Sequence, residues 1–177
     1  MSFRVTSVES TRFAEGSEWT RLRELGGVTV PILEEVLAGF SSETPVQQGV
    51  GHQQILAKEL EGHFERSLSE HGLDRVSPFV SPRLGERVDF AMGRAGDPPY
   101  LLGEIEFRPN FEKDLVKFKI AANRGVLAVG VLVVAKDRRE INPRYTSMPQ
   151  YDKVIHTVAE FEPSFPLLVM GFSGSLN

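Results

Sequence analysis

Three consecutive stretches decide the fold: RVDFAM at 87–92, GRAGDPP at 93–99 and YLLGEIEF at 100–107. The outer two carry β-branched and aromatic residues, and the middle one is a dense cluster of turn formers, so the spacing predicts a β-hairpin. A turn centred between Gly96 and Asp97 pairs Asp89 with Glu104 and Arg87 with Glu106. Alternation along a strand places Glu104 and Glu106 on one face, and direct opposition adds Asp89 to that face. A bulge in the turn would move this register by one residue.

Downstream, residues 111–123 read as a helix with Leu115, Phe118 and Ala122 on one side and Asn110 as its N-cap. The run VLAVGVLVV at 126–134 is nearly unbroken and β-branched, as expected of a strand buried on both faces. Residues 138–150 read as a polar loop, 151–160 as a helix and LLVMGF at 167–172 as a last buried strand. Upstream, 76–80 reads as a strand bounded by Pro82. The clearest helix spans 52–71, where Leu56, Leu60, Phe64 and Leu68 repeat every four residues and Gly72 supplies the stop. Glu59 and His63 flank that stripe, where they would face a cleft between helix and sheet. Residues 33–40 form a further helix opened by Pro31, 41–46 a loop, and the first 20 residues give no clear pattern. The elements together imply an α/β fold with a central mixed β-sheet flanked by helices.

The chain has 177 residues, 41% hydrophobic and 25% charged, enough for one domain with its own core (1–177). Cysteine is absent, which excludes disulfides, thiolate zinc sites and cysteine nucleophiles and fits a cytoplasmic protein. Neither a signal-peptide core nor an apolar run of membrane-spanning length is present, so a soluble protein with no membrane partner is expected. The net charge of −4 is unfavourable for a nucleic-acid binder, although a carboxylate-rich site subtracts from a locally basic surface.

Three carboxylates on one sheet face repel one another, and a positive partner or a raised pKa must relieve that repulsion. An oxygen-preferring divalent cation does so and brings hydrolytic chemistry with it. Solvated charges on an exposed hairpin face would give the same spacing. The residues alone leave both readings open.

An Asp, a short gap and then Glu-x-Glu at the end of an apolar strand resembles the PD-(D/E)XK nuclease motif in its Glu-x-Glu form. The stretch GEIEFRPNFEKDLVKFKIA, followed by GVLAVGVLVV, is similar to the BglII/BamHI branch of type II restriction endonucleases; the later MPQYDKVI adds to the likeness. The resemblance covers about 52–172 and leaves 1–50 as an N-terminal extension without assigned role. It implies a restriction endonuclease-like fold and a homodimer that cuts double-stranded DNA at a short palindrome with Mg²⁺, Mn²⁺ being a substitute. Asp89 and Glu104 would be metal ligands. Glu106 would orient or deprotonate the attacking water, or hold a second ion, in the position that is Lys in most of the superfamily. Glu59 would complete the site from the helix. Arg87-Val88 stands where the motif has its Pro, and the absent lysine leaves room for a catalytically degenerate DNA- or protein-binding module. A repair or structure-specific nuclease is a further alternative.

Arg108 and Asn110, just past the strand, and Arg138, Arg139, Asn142 and Arg144 in the later loop are the expected DNA contacts, since Arg and Asn suit guanine and adenine edges. Lys117 and Lys119 are expected on a solvated helix face. His52 and His63 lie about three helical turns apart, roughly 16 Å, too far to share an ion, and Trp19 reads as a packing residue. P-loop, GxGxxG and G-x-S-x-G patterns are absent.

Overall fold

The computed structural model describes residues 2–14, 19–43, 52–77, 87–141 and 147–176, with the side chains of Thr20, His52 and Leu176 outside that set. In chain order the elements are β1 (Phe3–Phe13), α1 (Thr20–Glu24), α2 (Val30–Ala38), β2 (Ser41–Ser42), α3 (His52–Glu70), β3 (Asp74–Arg75), β4 (Phe90–Arg94), β5 (Asp97–Ile105), α4 (Glu112–Asn123), β6 (Leu127–Ala135), α5 (Arg138–Ile141), α6 (Tyr151–Phe161) and β7 (Leu167–Leu176). The described strands form one seven-stranded sheet in the order β2-β1-β7-β6-β5-β4-β3. β5, β6 and β7 run parallel, and the remaining pairs are antiparallel. The sheet is therefore mixed, as expected.

Helices cover both faces, and the alternation of β6 assigns each residue to one of them. Val129, Val131, Val133 and Ala135 pack with Leu33, Leu37, Leu56, Leu60 and Phe64 of α2 and α3. Leu132 and Val134 pack with Leu115 and Phe118 of α4 and with Tyr151 and Val154 of α6. Every β6 residue is buried, because parallel neighbours and two helical layers leave it no water. The α3 stripe is fully realised: Leu56, Leu60, Phe64 and Leu68 are all at most 1% exposed. Gly72 closes that helix at φ +84°.

Several expectations shift. Residues 3–13, which gave no pattern, form β1, paired along its length with β7. A register irregularity between Val5 and Ser7 breaks its alternation, so the apolar positions pass from Phe3 and Val5 to Val8 and hide the period of two. The strand expected at 76–80 instead pairs at Asp74–Arg75, with the Val76 amide bonded to the Ala91 carbonyl at 2.9 Å; residues 78–80 lie outside the described set. α4 begins after Phe111, not after an Asn110 cap: Asn110 has φ +110° and no side-chain cap bond is made. The loop expected from 138 opens with the short helix α5. Among the described residues no helix is long and apolar enough to cross a membrane.

The hairpin register at the site end is the expected one: Phe90 faces Gly103, Ala91 faces Leu102 and Met92 faces Leu101. It is reached differently. The tight turn is Ala95-Gly96, pairing Arg94 with Asp97, and an irregularity between Met92 and Arg94 takes up two extra residues on β5. Turn and bulge offset each other, so Asp89, just beyond the ladder, comes to the end of the hairpin that carries Glu104.

Candidate active site

β5 ends at Ile105, opposite Val133 of the longer β6, and a cleft of about 360 Å³ opens beyond that end, between α3 and α4. Asp89, Glu104, Glu106, Asp114 and Lys117 all line it. Crevices at the carboxyl ends of parallel strands are where open α/β sheets place their ligands. The local sequence explains the gathering. Leu102 packs on the α4 side of the sheet, so Glu104, two residues on, projects to that side as well. The chain then passes through 106–111 into α4, whose first turn brings Asp114 and, one turn later, Lys117 against the same spot.

Each acidic group has a defined hold. Asp89 Oδ2 accepts the Ile105 backbone amide at 2.8 Å, which fastens the open end of β4 to β5. Glu104 is 3% exposed, and its Oε1 accepts a 2.8 Å bond from Lys117 Nζ. The same ammonium stands 3.0 Å from Asp114 Oδ1. Glu106 accepts the Arg108 backbone amide and shares a hydrogen bond with Asp114. The second Asp114 oxygen, Oδ2, is buried without a hydrogen-bond partner among the described residues.

Burial, then the neighbouring Asp114 and Asp89 charges, push the Glu104 carboxyl up to about 9, against the pull of Lys117. Burial likewise raises Glu106, to about 8; the Arg108 amide opposes this and the Asp114 carboxylate reinforces it. Asp114 is raised chiefly by burial, with Lys117 and the Glu106 bond holding it back. For Lys117, burial acts to lower the ammonium, but the Glu104 and Asp114 carboxylates prevail and raise it. Three of the carboxyls gathered around this one ammonium are thus raised together, the electrostatic signature of a functional cleft.

Asp89, Glu104 and Glu106, expected together, do share the cleft. Glu59 does not line it. On α3 the cleft-facing residues are Gln53, Gln54, Ala57, Lys58 and Glu61. At 100° per residue, Glu59 points well away from Glu61; Glu61 is the helix carboxylate on the cleft, raised by burial and by Asp89. His63 faces α2 instead, its Nε2 2.7 Å from the Val36 carbonyl and its ring tilted against Phe40. Lys117, expected on a solvated face, is turned inward; its i,i+3 spacing from Asp114 beside the buried Phe118 was the available signal. Arg108 lines the cleft, and Asn110 is exposed nearby in sequence. Arg138 lies on α5, and Arg139 is engaged by Asp137, its Nε 2.9 Å from Oδ1. Asn142 and Arg144 lie outside the described residues.

The model of the restriction endonuclease BglII/BglIII family matches residues 20–172. The chain belongs to that family. Membership extends the resemblance upstream from residue 52 to include α1 and α2. Among solved structures, restriction endonuclease BglII complexed with a DNA 16-mer is similar at 12% identity, covering 94% of this chain and 76% of that one with a TM-score of 0.48. Free BglII is similar at 12% identity, covering 95% and 80%, with a TM-score of 0.46. No curated protein sequence matches the chain.

Proposed function

We propose that this member of the BglII/BglIII restriction endonuclease family is a Mg²⁺-dependent endodeoxyribonuclease. It would act as a homodimer in the cytoplasm, hydrolysing double-stranded DNA at a short palindromic site and leaving 5′-phosphate ends. The observation that carries this reading is the convergence of Asp89, Glu104, Glu106 and Asp114 in one cleft around Lys117. BglII, a solved structure of similar fold, is bound to DNA.

The donors suit a hard divalent cation. All are carboxylate oxygens, their protons are held up by burial and by mutual repulsion, and Asp114 Oδ2 is buried without a hydrogen-bond partner among the described residues. Among the described residues no three acidic or histidine side chains stand at ion-enclosing spacing, and Lys117 supplies the local positive charge. Asp89 and Glu104 are the residues to hold the cation, with Glu106 and Asp114 beside them; Mn²⁺ would serve as substitute. When bound, such a cation polarises the phosphodiester, lowers the pKa of water and stabilises the leaving oxygen.

The chain's own residues do the rest. The Ile105 amide fixes Asp89 and the Arg108 amide fixes Glu106, so both carboxylates enter the reaction already oriented. Glu106 orients the attacking water and takes its proton, and the Asp114 hydrogen bond sets when it can. Lys117 offers an ammonium toward a non-bridging phosphate oxygen, the task the superfamily's missing lysine would have had. Arg108, Asn110 and Arg138, with Arg139, Asn142 and Arg144, are the proposed DNA contacts. A non-cleaving DNA-binding module is the second reading, favoured by the neutralisation Lys117 already provides without a metal.

Incubation of the protein with unmethylated plasmid and phage DNA, in Mg²⁺ or EDTA, separates these readings. Discrete Mg²⁺-dependent bands that vanish in Glu104→Ala establish a site-specific endonuclease. A smear keeps the nuclease and removes the restriction assignment. No cleavage across several divalent metals, with DNA binding intact, leaves the binding module.

A further inference from the structure

Gln53, in the first turn of α3, lines the same cleft and is 6% exposed, yet its amide nitrogen has no hydrogen-bond partner among the described residues. A buried donor left unsatisfied costs on the order of 1–3 kcal/mol, so its persistence beside a cleft points to a ligand. The surroundings state the ligand's charge. α3 is 19 residues long, no acidic residue occupies its first turn, and the first backbone amides of a helix lack intrahelical acceptors. Lys58, one turn past Gln54, is exposed and also lines the cleft. An amide donor, a helix N-terminus and an ammonium on one side of a cleft make an anion site. Glu61 lies further along the same helix and the remaining carboxylates stand across the cleft, so the anion would sit at the first turn, toward Gln53 and away from Glu61.

We infer that the first turn of α3, through Gln53 and Lys58, holds a backbone phosphate of the substrate next to the one being cut. The identity of the ligand as DNA rests on the nuclease reading; the anion site itself does not. A flanking phosphate fixed here would set the strand's distance from Glu104 and Glu106, making Gln53 a positioning residue.

The test has two arms. In the first, ¹⁵N-labelled protein is titrated with inorganic phosphate at constant ionic strength. Saturable shifts of the Gln53 side-chain amide and the first-turn amides of α3 are expected, with first-turn shifts abolished in Gln53→Glu and weakened several-fold in Lys58→Ala. Lys58 is exposed, so that variant tests the site even if the buried substitution impairs folding. Absence of a saturable response in the wild type would overturn the site. In the second arm, duplex DNA is titrated in EDTA and followed by fluorescence anisotropy. Lys58→Ala should weaken all sequences alike and lower the salt slope by about 0.9. Phosphate binding with unchanged DNA affinity in both variants would overturn the backbone assignment while leaving the nuclease reading standing. A wild type that binds phosphate but no DNA would sink that reading and the backbone assignment together.

Discussion

Lys117 and Glu104 are joined by a 2.8 Å ion pair inside the cleft, although one lies on a helix and the other on a strand. The Lys117 side chain is 18% exposed and that of Glu104 is 4% exposed, so solvent screens the pair weakly. Removing one partner of a buried pair strands the other, at a cost of about 3–5 kcal/mol. Here the Glu104 carboxyl, raised to about 9, holds its proton at neutral pH, which limits the loss there. Lys117→Met is therefore expected to fold at pH 7, to lose stability more steeply than wild type at higher pH, and to cleave DNA at least ~100-fold more slowly. Lys117→Arg should keep the stability and recover part of the rate. Thermal denaturation and single-turnover cleavage measure the two effects. A Lys117→Met variant with wild-type cleavage would show the ammonium to be a structural counter-ion only.

The raised carboxyls give a second prediction. Glu104 at about 9 and Glu106 at about 8 keep protons in the folded protein that the unfolded chain releases near 4.5. Folded-state protons make stability fall as pH rises, with the favourable contribution fully present below about 4.5 and lost through the pair's folded range of 8–9. Each group titrating only in the unfolded state costs about 1.4 kcal/mol per pH unit across that window. In EDTA the melting temperature should drop from pH 6 to pH 9, and Glu104→Gln should flatten the decline. Mg²⁺ should restore stability at pH 9, since it replaces the protons. A decline equally steep in Glu104→Gln would assign it to other groups.

Gly103 and Phe90 give a third. A Cβ at Gly103 would fall 2.0 Å from the Phe90 ring, which stacks on Phe64 at a centroid distance of 4.9 Å. The glycine is thus required by packing between β5 and β4; it adjoins Glu104, and its cross-strand partner Phe90 adjoins Asp89. Gly103→Ala should cost about 1–3 kcal/mol by overpacking and displace the Asp89 end of the hairpin. Chemical denaturation reads the first effect, and a cleavage loss exceeding that of equally destabilised Phe64→Leu reads the second. Equal losses would mean that the site tolerates the shift.

The sheet's centre was legible because its residues obey one rule over many positions. The run 126–134 is apolar throughout, and α3 repeats Leu56, Leu60, Phe64 and Leu68 without interruption, so burial alone dictates both. The acidic trio was legible for a similar reason: side-chain alternation fixes which residues share a face. β1 was hidden because its bulge between Val5 and Ser7 switches the inward parity midway. Lys117 was misplaced because a lysine at the edge of a helix's buried stripe looks solvated until the acids it meets are known to be under the helix. That knowledge is tertiary. Two local errors in the hairpin, the turn position and the bulge, offset each other only because Asp89 and Glu104 lie beyond both.

Helix phase supplies the last prediction. The sequence pattern pointed to Glu59 as the helix carboxylate of the site, whereas Glu61 lines the cleft and is raised by burial and by Asp89. Two residues along a helix differ by about 200° in direction, so only one of the two can serve. Glu61→Gln removes a negative charge near Asp89 and should weaken Mn²⁺ binding in the metal-free protein several-fold, measured by calorimetry, and slow cleavage with it. Glu59→Gln should leave both within about twofold of wild type, because Glu59 does not line the cleft. The reverse pattern would restore Glu59 to the site and require α3 to rotate when substrate binds.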